Sequence, residues 1–205
     1  MLNRSVSWVW IALALAAWGG WNAWTHREVE QPPGVLVAEV PAQTALSGDE
    51  AAPFEHRGYR LTPLAGFALE ARVLTTESYR FDRLAGLVPV DVGLGWGAMS
   101  DSAVLAQIEL SQSGRFMYWH VAQFPIPERQ IINSAANMHL IPATPVIARR
   151  ISALRRGQLI RLRGRLVEAV APNGMRIRSS LRRDDTGAGA CEVIWVEDLE
   201  VLHRR

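Results

Sequence analysis

Between Ile160 and Leu166 the chain alternates. Ile160, Leu162 and Leu166 fall on even positions with Gly164 among them, and Arg161, Arg163 and Arg165 fall on odd ones. A period of two marks a strand with one face buried and the other wet. Past Ala171-Pro172-Asn173-Gly174, a turn whose Asn-Gly pair accepts positive φ, the pattern resumes. Met175, Ile177 and Leu181 share one face there; Arg176, Arg178 and Arg182 share the other. The segment predicts a β-hairpin carrying both arginine rows on one face. Like charges directly opposite cost a few tenths to about 1 kcal/mol per pair, so carboxylates are expected beside them. Glu192, Glu197, Asp198 and Glu200 of a final strand at Cys191–Leu202 supply them, with Asp184 and Asp185. Arg178, Arg182 and Arg183, at the far end of the hairpin, are the candidate anion-binding residues, suited to an anionic lipid or an acidic protein.

A chain of 205 residues predicts one domain with a small appendage. With 49% hydrophobic and 20% charged residues it has the composition of a globular protein, not a disordered one. All the lysine-plus-arginine charge is arginine, and the single cysteine, Cys191, excludes an intramolecular disulfide.

Ser5 to Trp24 contains no Asp, Glu, Lys or Arg, has the length of a bilayer-spanning helix, and carries tryptophans towards both ends. No small-x-small cleavage site follows its apolar core. Residues 1–30 are therefore expected to be a retained transmembrane anchor, residues 31–53 a Pro/Gly/Ala-rich flexible tether with one short strand at Val35–Val40, and residues 54–205 a globular β-rich domain. Arg4 against Arg27, Glu28 and Glu30 gives a slight positive-inside bias. It predicts a single-pass inner-membrane protein, held through residues 5–24, with its domain in the periplasm.

Within the domain, Phe67–Leu74 and Arg115–Val121 read as strands. Pro89–Asp101 reads as an irregular loop because of its glycines, and Ser100 or Asp101 is expected to cap a helix reaching Leu110, a stretch that also reads as a strand. Pro145–Arg156 is the clearest helix, with Val146, Ile147, Ile151 and Leu154 on one face and Gly157 just past its end. The fold class expected is α+β: an N-terminal transmembrane helix, then a β-rich, small-barrel-like domain with one or two helices. Leu154–Val170 resembles the Gly-x-x-Val-x-Val-x-Gly opening of oligonucleotide/oligosaccharide-binding (OB) barrels, over about one hairpin. In its "GWGAMSD", "ANMHLIP" and "DDTGAGACE" segments the chain is similar to single-span bacterial membrane proteins of uncharacterised activity.

Chemistry is sparse in the sequence. Gly187 and Gly189 lack the Gly-Lys-Ser/Thr of a phosphate loop, and no His/Cys spacing announces a metal site. No cofactor is expected. Cys191 with His139 or His120 is the catalytic candidate, a thiolate–imidazole pair. A membrane anchor, a β-rich body, an upstream histidine and a late cysteine resemble the layout of sortase-type transpeptidases. The strand-ending Thr-Leu-x-Thr-Cys motif of that family is absent, however, and only Arg204 and Arg205 follow Cys191 as matches for its catalytic arginine. A cysteine leading a strand is otherwise expected in the core, sharing a face with Val193 and Trp195. The leading expectation is accordingly a membrane-anchored periplasmic binding or scaffolding protein with a basic hairpin face, and not an enzyme. The alternatives are a cysteine-dependent cell-envelope enzyme and a cytoplasmic-facing, OB-like nucleic-acid binder; nucleic acid is an unsuitable partner for a periplasmic domain.

Overall fold

The computed structural model describes residues 4–25, 27–182 and 191–203. Its first element, helix α1 (Arg4–Thr25), has 22 residues. Length is sufficient, but apolarity is not: Trp, Ser, Gly and Asn dilute its aliphatic residues. Among the described residues no helix is long and apolar enough to cross a membrane. The expected transmembrane anchor is corrected accordingly. With it go the attachment through residues 5–24, the similarity to single-span membrane proteins, the periplasmic placement and the anchored-scaffold function.

The body is built on strands β1 (Ala42–Thr44), β2 (Phe54–His56), β3 (Tyr59–Ser78), β4 (Val90–Gly95), β5 (Glu109–Ser113), β6 (Phe116–His120), β7 (Ala135–Pro142), β8 (Leu159–Val170), β9 (Arg176–Arg178) and β10 (Glu192–Leu202). Helices α2 (Ser102–Leu105), α3 (Glu128–Asn133) and α4 (Pro145–Ser152) punctuate them. Eight strands form one mixed sheet in the order β1-β3-β4-β7-β10-β8-β9; β2 adds to β3, and β8 also pairs with β3. All pairings are antiparallel except β7 with β10, which is parallel. β5 and β6 make a separate hairpin. The small OB-like barrel expected from one hairpin is thus replaced by a larger mixed sheet. Its organiser is β3, whose 20 residues pair with β1, β2, β4 and β8.

The alternation on β8 survives folding: Ile160, Leu162, Gly164 and Leu166 are buried, while Arg161, Arg163 and Arg165 are not. Gly164 is required, because a Cβ there would run into the Trp195 carbonyl. Val92, Met138, Leu140, Leu162, Ile194 and Val196 fill the main core, and Leu61, Val88, Ile141, Val193 and Trp195 a second one on the other side of the strands. Burial on both faces explains why Pro89–Asp101 misled. Every residue of β4 is buried, so the strand shows no polar alternation. Its glycines allow close approach of Thr75 and Met117 at Gly93 and of the Met99 carbonyl at Gly95.

The helix expected to reach Leu110 is a single turn, α2, capped by the Asp101 carboxylate accepting from the Ala103 N–H at 2.8 Å. β5 then occupies the stretch up to Ser113. α4 starts as expected, with Thr144 Oγ1 accepting from the Ile147 N–H at 3.2 Å, but ends at Ser152. Gly157 serves another purpose. At φ 86° it brings its backbone against Val29, where any Cβ would meet the Val29 carbonyl.

Residues 27–40 lie against the domain. The Val29 N–H donates to the Arg156 carbonyl at 2.8 Å, and Gln31 Nε2 donates to the Gly157 carbonyl at 2.9 Å. Leu36 and Val37 are buried, and no strand forms between Val35 and Val40.

Candidate active site

Asp91, on β4, faces His139, on β7, in direct register. His139 faces Val193, on β10. Cys191 precedes Val193 by two residues, so strand parity puts it on the same side of the sheet as His139. Asn137 lies there too, two residues before His139. Side chains 48 and 52 positions apart are thereby gathered by three adjacent strands.

Asp91 is fully buried. Its Oδ1 lies 2.9 Å from His139 Nδ1 and accepts from Arg115 Nη1 at 2.9 Å, while Oδ2 has no partner among the described residues. The Asp91–His139 contact is short but not aligned as an in-line N–H···O bond; it is foremost an electrostatic contact. Burial by itself pushes the His139 imidazole down. Its contacts with Asp91 and with Cys191 outweigh burial and raise it from 6.5 to about 9. At neutral pH the ring is an imidazolium held between a carboxylate and a thiol. Nδ1 is the ring nitrogen turned to Asp91, and Nε2 is not engaged by that carboxylate.

Arg115 anchors this row. It follows Gly114 at the tip of the β5–β6 hairpin; both have positive φ, 57° and 74°, which makes a tight turn whose twist suits the strands. The guanidinium donates to both oxygens of Asp82 at 2.9 and 2.7 Å, to the Val88 carbonyl at 3.0 Å and to Asp91. It also lies 3.8 Å from the centre of the Tyr79 ring, and the Tyr79 hydroxyl accepts from the Arg115 N–H at 2.9 Å. The bidentate Arg115 contact holds the Asp82 carboxyl below its ordinary range, and burial pushes the Tyr79 phenol up.

Around the thiol, Asn137 Nδ2 donates to Cys191 Sγ at 3.6 Å and to the Arg115 carbonyl at 2.9 Å. Gln112 Nε2, from β5, donates to Asn137 Oδ1 at 2.7 Å. On the other side the Ser180 N–H donates to the Cys191 carbonyl at 3.1 Å. Cys191 is a free, half-buried thiol. Its strand neighbours Val193 and Trp195 are in the core as expected; the cysteine itself is at the margin.

Of the two histidine candidates, the fold brings His139 to Cys191. His120 ends β6 on an exposed position opposite Glu109. Asp91, Asn137, Arg115 and Gln112 were not singled out by sequence reasoning. A signal for Asp91 existed: one acid inside the apolar run "LVPVDVGLG" is costly unless paired. Among the described residues, no three His, Cys, Asp or Glu side chains are arranged to hold a metal ion.

Most of the described hairpin arginines are engaged. Arg161 contacts Glu70 at 2.7 Å and Glu200 at 3.5 Å, and Arg165 contacts Glu197 at 2.6 Å. β9 pairs with Glu168–Val170, not with the arginine-bearing part of β8, so Arg178 sits opposite Glu168 and bonds it at 2.6 Å. Arg176 shares that carboxylate at 3.3 Å. Arg182 is also partnered; Arg183, Asp184, Asp185, Gly187 and Gly189 lie outside the described residues. Among the described residues, open grooves of about 480 and 490 Å3 are lined by residues such as Thr44, Phe67, Arg163 and Glu197 in one and Arg150, Leu199 and His203 in another. Asp91, His139 and Cys191 line neither.

No protein-family model matches the chain, and no curated protein matches its sequence.

Proposed function

We propose that the chain is a cysteine-dependent acyl-transfer enzyme, with Cys191 as nucleophile, His139 as the proton-transfer group and Asp91 as the residue that orients and charges the imidazole. The observation that carries this reading is the Asp91–His139–Cys191 row, in which a buried carboxylate keeps an imidazole beside a thiol protonated. A cation next to a cysteine is how proteins produce a thiolate nucleophile at neutral pH.

The Cys191 thiol gives its proton to solvent, a loss favoured by the neighbouring imidazolium, and the resulting thiolate adds to the carbonyl carbon of an ester, thioester or amide. The tetrahedral adduct collapses as its C–X bond breaks, and X leaves with the proton of the His139 imidazolium. The neutral imidazole then takes a proton from water or from an acceptor nucleophile, which attacks the thioester and releases the acyl group. Thiolate and imidazolium are restored. Asp91 keeps Nδ1 turned towards itself so that Nε2 serves the reaction. The arginine-rich face gives less support to nucleic-acid binding, because Arg161, Arg165, Arg176 and Arg178 already face carboxylates.

The test is to incubate the full chain with p-nitrophenyl acetate and follow p-nitrophenolate release and the mass of the protein. A burst of release, with one acetyl group retained on Cys191, is expected. Cys191→Ala abolishes both and His139→Ala slows the burst by about 100-fold or more. No acetylation of Cys191, or a burst indifferent to His139, removes the proposal.

A further inference from the structure

We infer that Asn137 is a further catalytic residue: its side-chain N–H is the donor that stabilises the oxyanion formed when Cys191 attacks a carbonyl. The inference rests on the acyl-transfer reading above and deepens it. Three observations carry it.

First, the direction of the Asn137 amide is fixed by its neighbours. The Arg115 carbonyl can only accept, so the group 2.9 Å from it must be the NH2, and Oδ1 must be the atom that accepts from Gln112 Nε2 at 2.7 Å. One amide proton is committed to Arg115, and the second is aimed at Cys191 Sγ. Second, that second bond is long, 3.6 Å, so the proton is placed beside the sulfur without being strongly held by it. In a tetrahedral adduct the oxyanion is bonded to the carbon that Sγ has just joined, within reach of a donor already beside the sulfur. The donor gains most when negative charge passes from sulfur to oxygen, the condition for lowering a barrier instead of merely binding substrate. Third, Asn137 is rigid and dry. It is 7% exposed, belongs to β7 and is tied on two sides to the β5–β6 hairpin. A donor held in place before the reaction needs no reorganisation during it.

Gln112 is then a positioning residue. Without it, nothing described holds Oδ1, and the amide is free to turn its N–H away from the sulfur.

The experiment separates reactions that form an oxyanion from one that does not. Acylation of Cys191 by p-nitrophenyl acetate passes through a tetrahedral oxyanion; alkylation by iodoacetamide is a direct displacement and does not. For Asn137→Ala the acylation rate is expected to fall about 100-fold while alkylation stays within about threefold of wild type. For Gln112→Ala the expected loss in acylation is about tenfold, again with alkylation preserved. If Asn137→Ala fails to fold, Gln112→Ala decides the matter, because it leaves Asn137 in place. Equal losses in both reactions would mean that Asn137 only maintains the thiol's surroundings, and unchanged acylation would mean that it plays no part; either overturns the inference. A wild-type chain that is alkylated but never acylated overturns the acyl-transfer reading itself, an outcome distinct from both.

Discussion

Asp91 Oδ1 lies 2.9 Å from His139 Nδ1 and 2.9 Å from Arg115 Nη1, so one buried carboxylate oxygen joins the imidazole to the β5–β6 hairpin. It links the charge state of the site to the folding of the chain, because the His139 imidazolium loses its carboxylate if Asp91 is removed, whereas Arg115 keeps Asp82.

Asp91→Asn keeps the size of the side chain and deletes its charge. Breaking a buried pair by removing one partner costs about 3–5 kcal/mol, and urea denaturation measures it. In the same variant the His139 titration, followed by NMR, moves down from about 9, since burial is then less opposed. A titration that stays in place would mean that Asp91 does not set the imidazolium.

The pH dependence of stability follows from the same histidine. Its folded value, about 9, lies above the ordinary 6.5. The stabilisation is therefore fully present below 6.5 and is lost as pH rises from there through 9. The difference amounts to about 3 kcal/mol. Wild type minus His139→Gln, compared by denaturation across this range, should shrink as pH rises. A difference independent of pH, or one that grows, contradicts the assignment.

Arg176 and Arg178 share Glu168, whose side chain is 14% exposed. Either arginine alone still compensates that carboxylate. Each single Arg→Gln change is expected to cost about 0–1 kcal/mol, and the double change more than the sum, because Glu168 then loses both of these partners. Strict additivity would show that the two cations do not share it.

Ser100 fixes the segment leading into the domain. Its hydroxyl, fully buried, accepts from the Leu36 and Val37 N–H groups at 3.0 Å each and donates to the Gly97 carbonyl at 2.7 Å. Ser100→Ala leaves two buried donors without this acceptor and should destabilise the protein by about 1–3 kcal/mol. Hydrogen exchange at Leu36 and Val37 should accelerate before exchange in β8. Unchanged protection there would show that burial, not the hydroxyl, holds the segment.

Taken alone, the sequence determined the features that depend on neighbours along the chain. The period of two from Ile160 to Leu166 is that of a strand wherever it packs. Thr144-Pro145 starts a helix, and Asn173-Gly174 makes a turn, with Gly174 at φ 82°. Phe116–His120 and Glu192–Leu202 are strands because their β-branched and aromatic residues favour them. Ser5–Trp24 folds as a helix, but helix formation is local, whereas spanning a bilayer needs an apolarity that this segment does not reach. Tertiary structure decided everything that depends on register between distant strands. β4 was illegible because both its faces are buried, which erases alternation and makes Gly93 and Gly95 resemble a loop. Which carboxylate each arginine meets was set by where β9 stops pairing with β8. The choice of His139 over His120, and the arrival of Asp91 beside it, follow from the pairings of β4 with β7 and of β7 with β10. A slip of one residue in either pairing would send these side chains to opposite faces of the sheet. The residue types of the site are written in the chain; their meeting is a property of the folded sheet.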